Sequence, residues 1–330
     1  MSLLKDRSER NRTISLTEEE KLIYLSRCIN ETDISTNCDM SNSIVNGDCI
    51  NVLPYVPKQS VDLLIVDPPY NLSKKYSTKT FNKMDDTDYA AFTRAWIEGA
   101  LHTLKSTASI YICSDWVSSL IIGPIISEYF IIQNRITWER EKGRGSKTNW
   151  KNSMEDVWFA TVSNEYTFNV EDVKLRKKVI APYRINGNPK DWEETINGNY
   201  RDTHPSNFWD DISIPYWSMP ENTDHPTQKP EKLYAKLVLA STNTDDLILD
   251  PFAGVGTSSV VAKKLGRNFI GIEIEPEFCA LAEKRLDIAT AKPEIQGYTD
   301  GVFWERNTLA EQKKASKSTS TPVLSSALVR

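Results

Sequence analysis

The feature that most constrains the fold is an alternation of strand-like and helix-like patterns at residues 247–290. The stretch LILDPFAGVGTSSVVAKKLGRNFIGIEIEPEFCALAEKRLDIA gives an apolar run, a glycine turn, a helical period, a second apolar run and a second helical period. Upstream, VDLLIVDPPY predicts a strand, DYAAFTRAWIEGALHTLK a helix, and ASIYICS and RITWERE two further strands. Strands that alternate with helices favour a parallel sheet covered by helices on both faces. The sequence therefore predicts an α/β fold.

Length and charge limit what else the chain can be. Its 330 residues suffice for one large α/β domain with an insertion. The net charge of −5 means that a nucleic-acid partner would have to meet a local basic surface rather than a basic protein. The five cysteines are scattered without a C-x-x-C pair, which favours a reducing compartment, and the three histidines give no zinc spacing.

Neither a signal peptide nor a membrane span is predicted. The start, MSLLKDRSERNRT, is polar and lacks an apolar core. The run SLIIGPIISEYFII is short and is interrupted by Gly123, Pro124 and Glu128, so it predicts a core element. We therefore expect a cytoplasmic protein with no membrane partner and no bound metal.

The glycine turn in LILDPFAGVGTS predicts a ligand site. Gly254 and Gly256 allow a sharp bend and a close approach of the backbone to a ligand, and a helix is predicted from about Thr257. A dinucleotide fingerprint needs a third glycine three residues later, where the chain has Ser259, and the Gly-Lys-Ser/Thr of a P-loop is absent. The turn therefore favours a cofactor without phosphates, such as S-adenosylmethionine.

Two carboxylates accompany this turn. Asp250 ends the strand before it, and Glu273 ends the next strand, NFIGIEI, about 20 residues further on. That is the usual position of a carboxylate that binds ribose hydroxyls. We expect both residues to belong to the cofactor site, since a strand, turn and helix serving packing alone would not require them.

A second unusual segment is VDPPYN, at residues 66–71, where an apolar strand ends in an aspartate, two prolines and a tyrosine. A single proline would be enough to end the strand. Asp67, Pro68, Pro69 and Tyr70 instead predict a rigid shelf with a charge at one end and a flat aromatic face at the other.

Three motifs together resemble those of the DNA amino-methyltransferases. They are DPPYN at 67–71, HPTQKP at 225–230 and DPFAGVGT at 250–257. Their order, with the shelf first and the cofactor turn last, is similar to the permuted β class of that family, and the resemblance covers roughly residues 43–290. It implies a Rossmann-like, S-adenosylmethionine-dependent methyltransferase fold with permuted motif order and an inserted target-recognition region. The implied substrate is double-stranded DNA.

This resemblance, together with a loss of periodicity between about residues 140 and 225, suggests a division of the chain. The predicted parts are a polar N-terminal extension (1–42), the catalytic half of the methyltransferase domain (43–140), the target-recognition insert (141–224), the cofactor-binding half (225–302) and a loosely ordered tail (303–330).

The resemblance assigns the chemistry to the shelf. An exocyclic amino nitrogen is a poor nucleophile because its lone pair is delocalised into the base. Hydrogen bonds from its N–H groups to the Asp67 carboxylate and the Pro68 carbonyl would favour a pyramidal nitrogen, with Pro69 holding that carbonyl in place. Tyr70 would stack on the base, which must rotate out of the duplex.

The cofactor site implied by the same motifs extends beyond the glycine turn. Asp48 falls where relatives hold the cofactor's adenine, although a turn aspartate would also explain it. Lys229 could pair with the cofactor carboxylate, or could be an ordinary surface lysine. The full set of expected cofactor residues is Asp48, Asp67, His225, Thr227, Lys229, Asp250, Phe252, Gly254, Gly256, Thr257 and Glu273.

Two lysine-rich segments predict DNA contacts. SKKYSTKTFNK follows the shelf directly, and REKGRGSKTNWK surrounds two glycines further on. Basic side chains at this density suit phosphate contacts, although a solvated loop would look the same. The expected DNA-binding residues are Lys74, Lys75, Lys79, Lys83, Arg140, Lys142, Arg144, Lys147 and Lys151.

Several alternatives remain beside adenine N6 methylation. N4-cytosine methylation uses the same device, although Asp67 favours adenine because relatives with aspartate at this position more often act on it. C5-cytosine methylation needs a cysteine, usually after a proline, and the chain has no Pro-Cys pair. RNA and protein-glutamine methyltransferases usually place the cofactor turn before the shelf. A nicotinamide dehydrogenase would leave the shelf unexplained.

An alternative of another class is a catalytically silent DNA-binding protein on the same scaffold. Loss of the aspartate or of the glycines would have been its signature, and Asp67, Gly254 and Gly256 are all present. The resemblance also implies a role in a restriction-modification system and a homodimer, since relatives often have both properties.

Overall fold

The computed structural model describes residues 9–35, 38–75, 80–140, 147–180, 182–195 and 198–313. The strands are β1 (Ile29–Asn30), β2 (Ser43–Asn46), β3 (Val61–Val66), β4 (Lys74–Lys75), β5 (Thr80–Phe81), β6 (Leu104–Ser114), β7 (Ile131–Glu139), β8 (Met154–Thr161), β9 (Leu175–Lys178), β10 (Arg184–Ile185), β11 (Asn188–Pro189), β12 (Glu193–Thr195), β13 (Gly198–Thr203), β14 (Phe208–Trp209), β15 (Leu247–Asp250), β16 (Asn268–Glu273), β17 (Tyr298–Thr299) and β18 (Val302–Trp304). The helices are α1 (Glu18–Leu25), α2 (Cys49–Val52), α3 (Asp86–Leu101), α4 (Trp116–Tyr129), α5 (Glu231–Ser241), α6 (Thr257–Lys264) and α7 (Pro276–Ala291).

A nine-stranded sheet forms the centre of the fold, in the order β1-β2-β16-β15-β3-β6-β8-β7-β14. The neighbouring strands are parallel except for β8, which runs antiparallel to both β6 and β7. The α/β fold is therefore as predicted, but the sheet is mixed rather than wholly parallel. The reason is that β7 and β8 form a hairpin, which needs no crossover helix.

Both faces of this sheet are covered, and strand β3 shows how. Successive side chains of a strand point to opposite faces. Leu63 and Ile65 join the apolar core that includes residues of α5, α6 and α7, whereas Leu64 and Val66 join the core that includes residues of α2, α3 and α4. A strand buried on both sides explains why VDLLIV reads as an almost continuous apolar run.

Three of the five predicted parts contribute strands that pair across the predicted divisions, and the division itself stays a prediction. The extension 1–42 contributes β1, which pairs with β2 in the central sheet. The insert 141–224 contributes β8, which lies within that sheet and pairs with β6 on one side and β7 on the other. The tail 303–330 begins inside β18, where Phe303 is fully buried.

A second sheet links the insert to the C-terminal segment. Its five strands have the order β12-β13-β9-β18-β17. Strand β18 runs parallel to β9, and Lys232 in α5 donates to the carbonyl oxygens of Asp211 and Trp304. The inserted segment is thus held on the α/β core by strands that are distant in sequence.

The apolar run SLIIGPIISEYFII forms most of α4 and the start of β7. Ile122, Ile125 and Ile126 are buried under the sheet, as expected of a core element. Within the part of the chain that the structure describes, no helix is long and apolar enough to cross a membrane.

Candidate active site

A cavity of about 330 Å³ opens where β2, β3, β15 and β16 end. In open α/β sheets, ligands bind at the carboxyl ends of the strands, because the loops there carry the variable side chains. Most of the predicted catalytic and cofactor residues line it: Asp48, Asp67, Pro68, Pro69, Tyr70, His225, Thr227, Lys229, Phe252, Gly254, Thr257 and Glu273.

The glycine turn shapes one wall of the cavity. Gly254 and Gly256 have φ angles of 54° and 70°, in the left-handed region that favours glycine. A Cβ atom at Gly256 would lie 2.7 Å from the Cβ of Ala282 in α7. Gly256 is therefore required for close packing of the turn against α7, rather than lining the cavity as predicted.

Asp250 supports the turn from inside the protein. Its carboxylate accepts hydrogen bonds from the Phe252 N–H at 3.0 Å and from the Ser258 hydroxyl at 2.5 Å. Burial raises the pKa of Asp250 to about 7. The side chain does not line the cavity, so the prediction of a direct cofactor contact is corrected to a supporting role.

Glu273 is positioned by the turn and faces the cavity. Its carboxylate accepts the N–H groups of Gly254 and Glu275, each at 2.8 Å. Burial raises the pKa of Glu273 to about 7, against the opposing effect of these hydrogen bonds. A carboxylate fixed in this way at the end of β16 can receive hydrogen bonds from a ribose.

The remaining cofactor residues form a mainly apolar wall with polar groups at its edges. Asp48 caps α2 by accepting the Ile50 N–H at 3.0 Å, so it is both a turn aspartate and a cavity residue. The His225 ring packs edge-on against Phe278, with ring centroids 4.5 Å apart. Burial lowers the pKa of His225 to about 4, which keeps the ring uncharged at neutral pH.

The shelf is held rigidly from several directions. The Tyr70 hydroxyl donates to Asp67 Oδ1 at 3.0 Å, and the Tyr89 hydroxyl donates to the Pro69 carbonyl at 3.0 Å. The Asn71 side chain donates to the Met84 carbonyl and accepts the Met84 N–H. Such fixed groups can orient a base without reorganising during the reaction.

Lys229 pairs with the shelf. Its Nζ lies 2.6 Å from Asp67 Oδ2 and 3.3 Å from Glu155 Oε2, and the side chain is 5% exposed. It also donates to the Tyr70 hydroxyl at 3.1 Å. Burial alone would lower the pKa of Lys229, but the two carboxylates outweigh it and raise that pKa. Lys229 thus pairs with Asp67, while its predicted pairing with the cofactor carboxylate stays a prediction. Because Lys229 is buried, the surface-lysine alternative is wrong.

Glu155 in β8 is a site residue that the sequence interpretation missed. It is 3% exposed and forms ion pairs with Lys229 and with Arg140. Two adjacent acids in the otherwise strand-like MEDVWFAT were the available signal, because a carboxylate in a buried strand needs a partner. Nothing local in the sequence identifies Lys229 as that partner.

The predicted DNA-binding residues fall into different places. Lys83, Lys147 and Lys151 are exposed. Lys74 lines the cavity, where burial lowers its pKa. Arg140 pairs with Glu155 and its side chain is 29% exposed, so its DNA contact stays a prediction. Lys79, Lys142, Arg144 and the side chain of Lys75 lie outside the described part of the chain.

Fold and site together define an α/β methyltransferase, and comparisons with known proteins specify the family. A family model described as DNA methylase, covering N6 and N4 methyltransferases, matches residues 61–284. The type II methyltransferase M.HpaI of Haemophilus parainfluenzae is 33% identical over 253 residues, 75% of either chain. The DNA adenine methyltransferase YhdJ of Escherichia coli (strain K12) is 32% identical over 252 residues, 76% of this chain and 84% of YhdJ.

Solved structures agree on the fold. The PvuII DNA methyltransferase (cytosine-N4-specific) has a TM-score of 0.56 at 18% identity, covering 74% of this chain and 85% of that one. The M1.HpyAVI–SAM complex has a TM-score of 0.51 at 23% identity, covering 74% and 98%. The chain belongs to the DNA methylase family. This membership confirms the predicted fold, the enzyme class, DNA as substrate and S-adenosylmethionine as methyl donor.

Proposed function

We propose that the protein is a site-specific DNA methyltransferase that methylates the N6 amino group of adenine in a nucleotide flipped out of double-stranded DNA. The observation that carries this proposal is that Asp67 and Glu273 line the same cavity. One carboxylate is placed to receive an amino group and the other to receive a ribose, so the methyl donor and acceptor can meet between them.

The residues of the cavity fit S-adenosylmethionine. Glu273 offers a fixed carboxylate for the ribose hydroxyls, and Asp48 offers another carboxylate beside it. The Phe252 ring, which packs edge-on against Trp96, gives the cavity an aromatic surface. When bound, the cofactor supplies a methyl group that is already electrophilic on a sulfonium centre.

The shelf provides what the acceptor needs. Asp67 accepts one N–H of the amino group and the Pro68 carbonyl accepts the other, which concentrates the lone pair on nitrogen. The Tyr70 ring supplies a stacking face for the flipped base, an interaction worth about 1–3 kcal/mol in single-strand binders. No covalent intermediate on the protein is required, because the nitrogen attacks the methyl group directly.

Adenine is preferred over cytosine on two grounds. The first position of the shelf motif is Asp67, and relatives named as adenine enzymes include YhdJ. The N4-cytosine enzyme among the structural neighbours is only 18% identical and bears on the fold alone.

The test is to identify the methylated nucleoside. The purified protein is incubated with methyl-labelled S-adenosylmethionine and unmethylated genomic DNA, and the DNA is digested to nucleosides. We expect label in N6-methyladenine, and none with Asp67→Ala. Label in N4-methylcytosine would mean that the same mechanism acts on cytosine instead of adenine. Absence of label from DNA, with cofactor still bound, would overturn the proposal in favour of the silent scaffold or another substrate.

We further propose a cellular setting for this activity. Relatives named type II methyltransferases support a role as the modification enzyme of a restriction-modification system, acting in the cytoplasm. The insert at residues 141–224 is proposed to recognise the target sequence, and the active species is proposed to be a homodimer. Sedimentation of the protein with and without target DNA would distinguish a dimer from a monomer.

A further inference from the structure

Four charged side chains form a continuous chain that leads away from the shelf. Asp67 pairs with Lys229 at 2.6 Å, Lys229 pairs with Glu155 at 3.3 Å, and Glu155 pairs with Arg140. The side chains of Lys229 and Glu155 are 5% and 4% exposed, whereas that of Arg140 is 29% exposed. The two inner members of this chain are therefore shielded from solvent, whereas Asp67 at one end is 18% exposed to the cavity and Arg140 at the other end is partly solvated.

The arrangement is neutral as a whole. Two carboxylates balance one ammonium and one guanidinium, in a region where charges are screened poorly. Without Glu155, the single remaining carboxylate of the chain would face two positive charges, those of Lys229 and Arg140. An uncompensated buried charge is costly, which is why breaking one partner of a buried pair is far more disruptive than removing both.

The balance between the positive and negative side chains matters because methyl transfer moves a positive charge. As the bond between the methyl carbon and sulfur breaks and the bond to nitrogen forms, the positive charge passes from the sulfonium to the amino nitrogen. The nitrogen then loses a proton to solvent water, leaving S-adenosylhomocysteine and the methylated base. During the transfer the nitrogen is cationic beside Asp67, and an unbalanced ammonium within hydrogen-bond distance of that carboxylate would oppose it.

We propose that Glu155 is a positioning residue for methyl transfer, acting through Lys229. It holds the lysine ammonium against Asp67 Oδ2 and cancels its charge, so that Lys229 fixes the orientation of the carboxylate without opposing the cationic nitrogen. This inference rests on the proposed function and adds Glu155, which lies outside the three sequence motifs and contacts the shelf through Lys229 and through the Tyr70 hydroxyl, which donates to it at 3.2 Å.

Single variants and a charge-restoring double variant test it, with kcat, the KM for S-adenosylmethionine and cofactor affinity measured for every variant. Glu155→Gln leaves an excess positive charge and should lower kcat by about 10- to 100-fold with little change in that KM. The double variant Glu155→Gln with Lys229→Met restores neutrality and should be about ten-fold faster than Glu155→Gln alone. Glu155→Asp keeps the charge, and its kcat should stay within about ten-fold of the wild-type kcat. This variant also tests the inference if Glu155→Gln does not fold.

Lys105→Met is the matched control. Lys105 pairs with Asp62 at 2.7 Å, at the opposite end of the strand that leads to Asp67, so its loss should leave kcat unchanged. A wild-type kcat in Glu155→Gln, a double variant no faster than Glu155→Gln, or an aspartate variant as slow as the glutamine variant would each overturn the inference. An inactive wild type would instead refute the proposed function.

Discussion

At the scale of single residues, Asp67 is the group on which the proposed chemistry depends. Its two carboxylate oxygens are held by different donors, the Tyr70 hydroxyl on Oδ1 and the Lys229 ammonium on Oδ2. Asp67→Asn retains the shape but loses the charge that favours a cationic nitrogen. We expect kcat to fall by at least about 100-fold, as when one preorganised group of an active site is removed.

Cofactor affinity separates this effect from a structural one. Because Glu273 is held by backbone groups of the glycine turn, it does not depend on Asp67, and calorimetry should show nearly unchanged binding of S-adenosylmethionine. Asp62→Asn is the control, since it breaks a similar lysine pair on the same strand. Equal loss of cofactor binding and activity in Asp67→Asn would mean that Asp67 is mainly structural.

Glu273 gives a prediction for pH. Its pKa is raised by burial from 4.5 to about 7, so the carboxyl group is increasingly protonated below neutral pH. A protonated carboxyl accepts hydroxyl hydrogen bonds less well than a carboxylate. Affinity for S-adenosylmethionine should therefore weaken as the pH falls through about 7, by at most about ten-fold per pH unit for one proton.

The stability of the cofactor-free protein should change in the opposite sense. An acid whose pKa is raised by folding contributes stability that is present below about 4.5 and is lost as the pH rises through about 7. Titration calorimetry across this range, on wild type and Glu273→Gln, checks the binding prediction. If the slope persists in Glu273→Gln, then Asp250, with a pKa also near 7, is the titrating group.

At the scale of structural elements, the glycine turn joins the cofactor wall to helix α7. Gly256 has positive φ and also lies so close to α7 that a Cβ would meet Ala282 Cβ at 2.7 Å. Gly266 has a similar φ of 72°, but a Cβ there would have ordinary contacts. Alanine at either position would therefore be strained by the positive φ angle, but only at Gly256 would its Cβ also collide with α7.

Alanine substitutions at these positions should differ accordingly. Gly266→Ala should lower the free energy of unfolding by about 1–2 kcal/mol, the cost of left-handed backbone for a residue with a Cβ. In Gly256→Ala the added Cβ would also displace the turn. This variant should therefore lose more free energy of unfolding and should bind S-adenosylmethionine more weakly. Denaturant unfolding measures the stability of both variants, and calorimetry measures their affinity for S-adenosylmethionine. If the two substitutions change that affinity equally, the packing against α7 is unimportant for cofactor binding.

The elements also show how far the sequence could predict the structure. β3, β15, β16 and the glycine turn were predictable because each apolar run and its turn are adjacent in sequence. The Asp67–Lys229 pair joins residues 162 positions apart, and no periodicity encodes such a contact. The sequence predicts a loosely ordered tail from Phe303, inside β18, because the Ser, Thr and Lys residues that follow this strand dominate the local composition.

At the scale of the whole molecule, an acidic chain must bind an acidic polymer. With a net charge of −5, binding depends on where the basic residues are exposed. Lys147 and Lys151 lie in the connection between β7 and β8, whose ends carry Arg140 and Glu155 of the charged chain. Trp150, between them, is 94% exposed. This connection is therefore the part of the surface where we expect DNA phosphates to approach the shelf.

The salt dependence of DNA binding tests that placement. Each phosphate contact to B-DNA contributes a slope of about −0.9 to the dependence of log K on log salt. Replacing Lys147 and Lys151 with alanine should weaken binding and reduce the slope by about two. The control replaces Lys58 and Lys292 with alanine. Both lysines are exposed and lie outside this connection, and their loss changes the net charge by the same amount. An equal reduction of the salt slope in both variants would indicate a general charge effect. An unchanged slope in the Lys147 and Lys151 variant would mean that the DNA follows another path. The second sheet would then be the next surface to test.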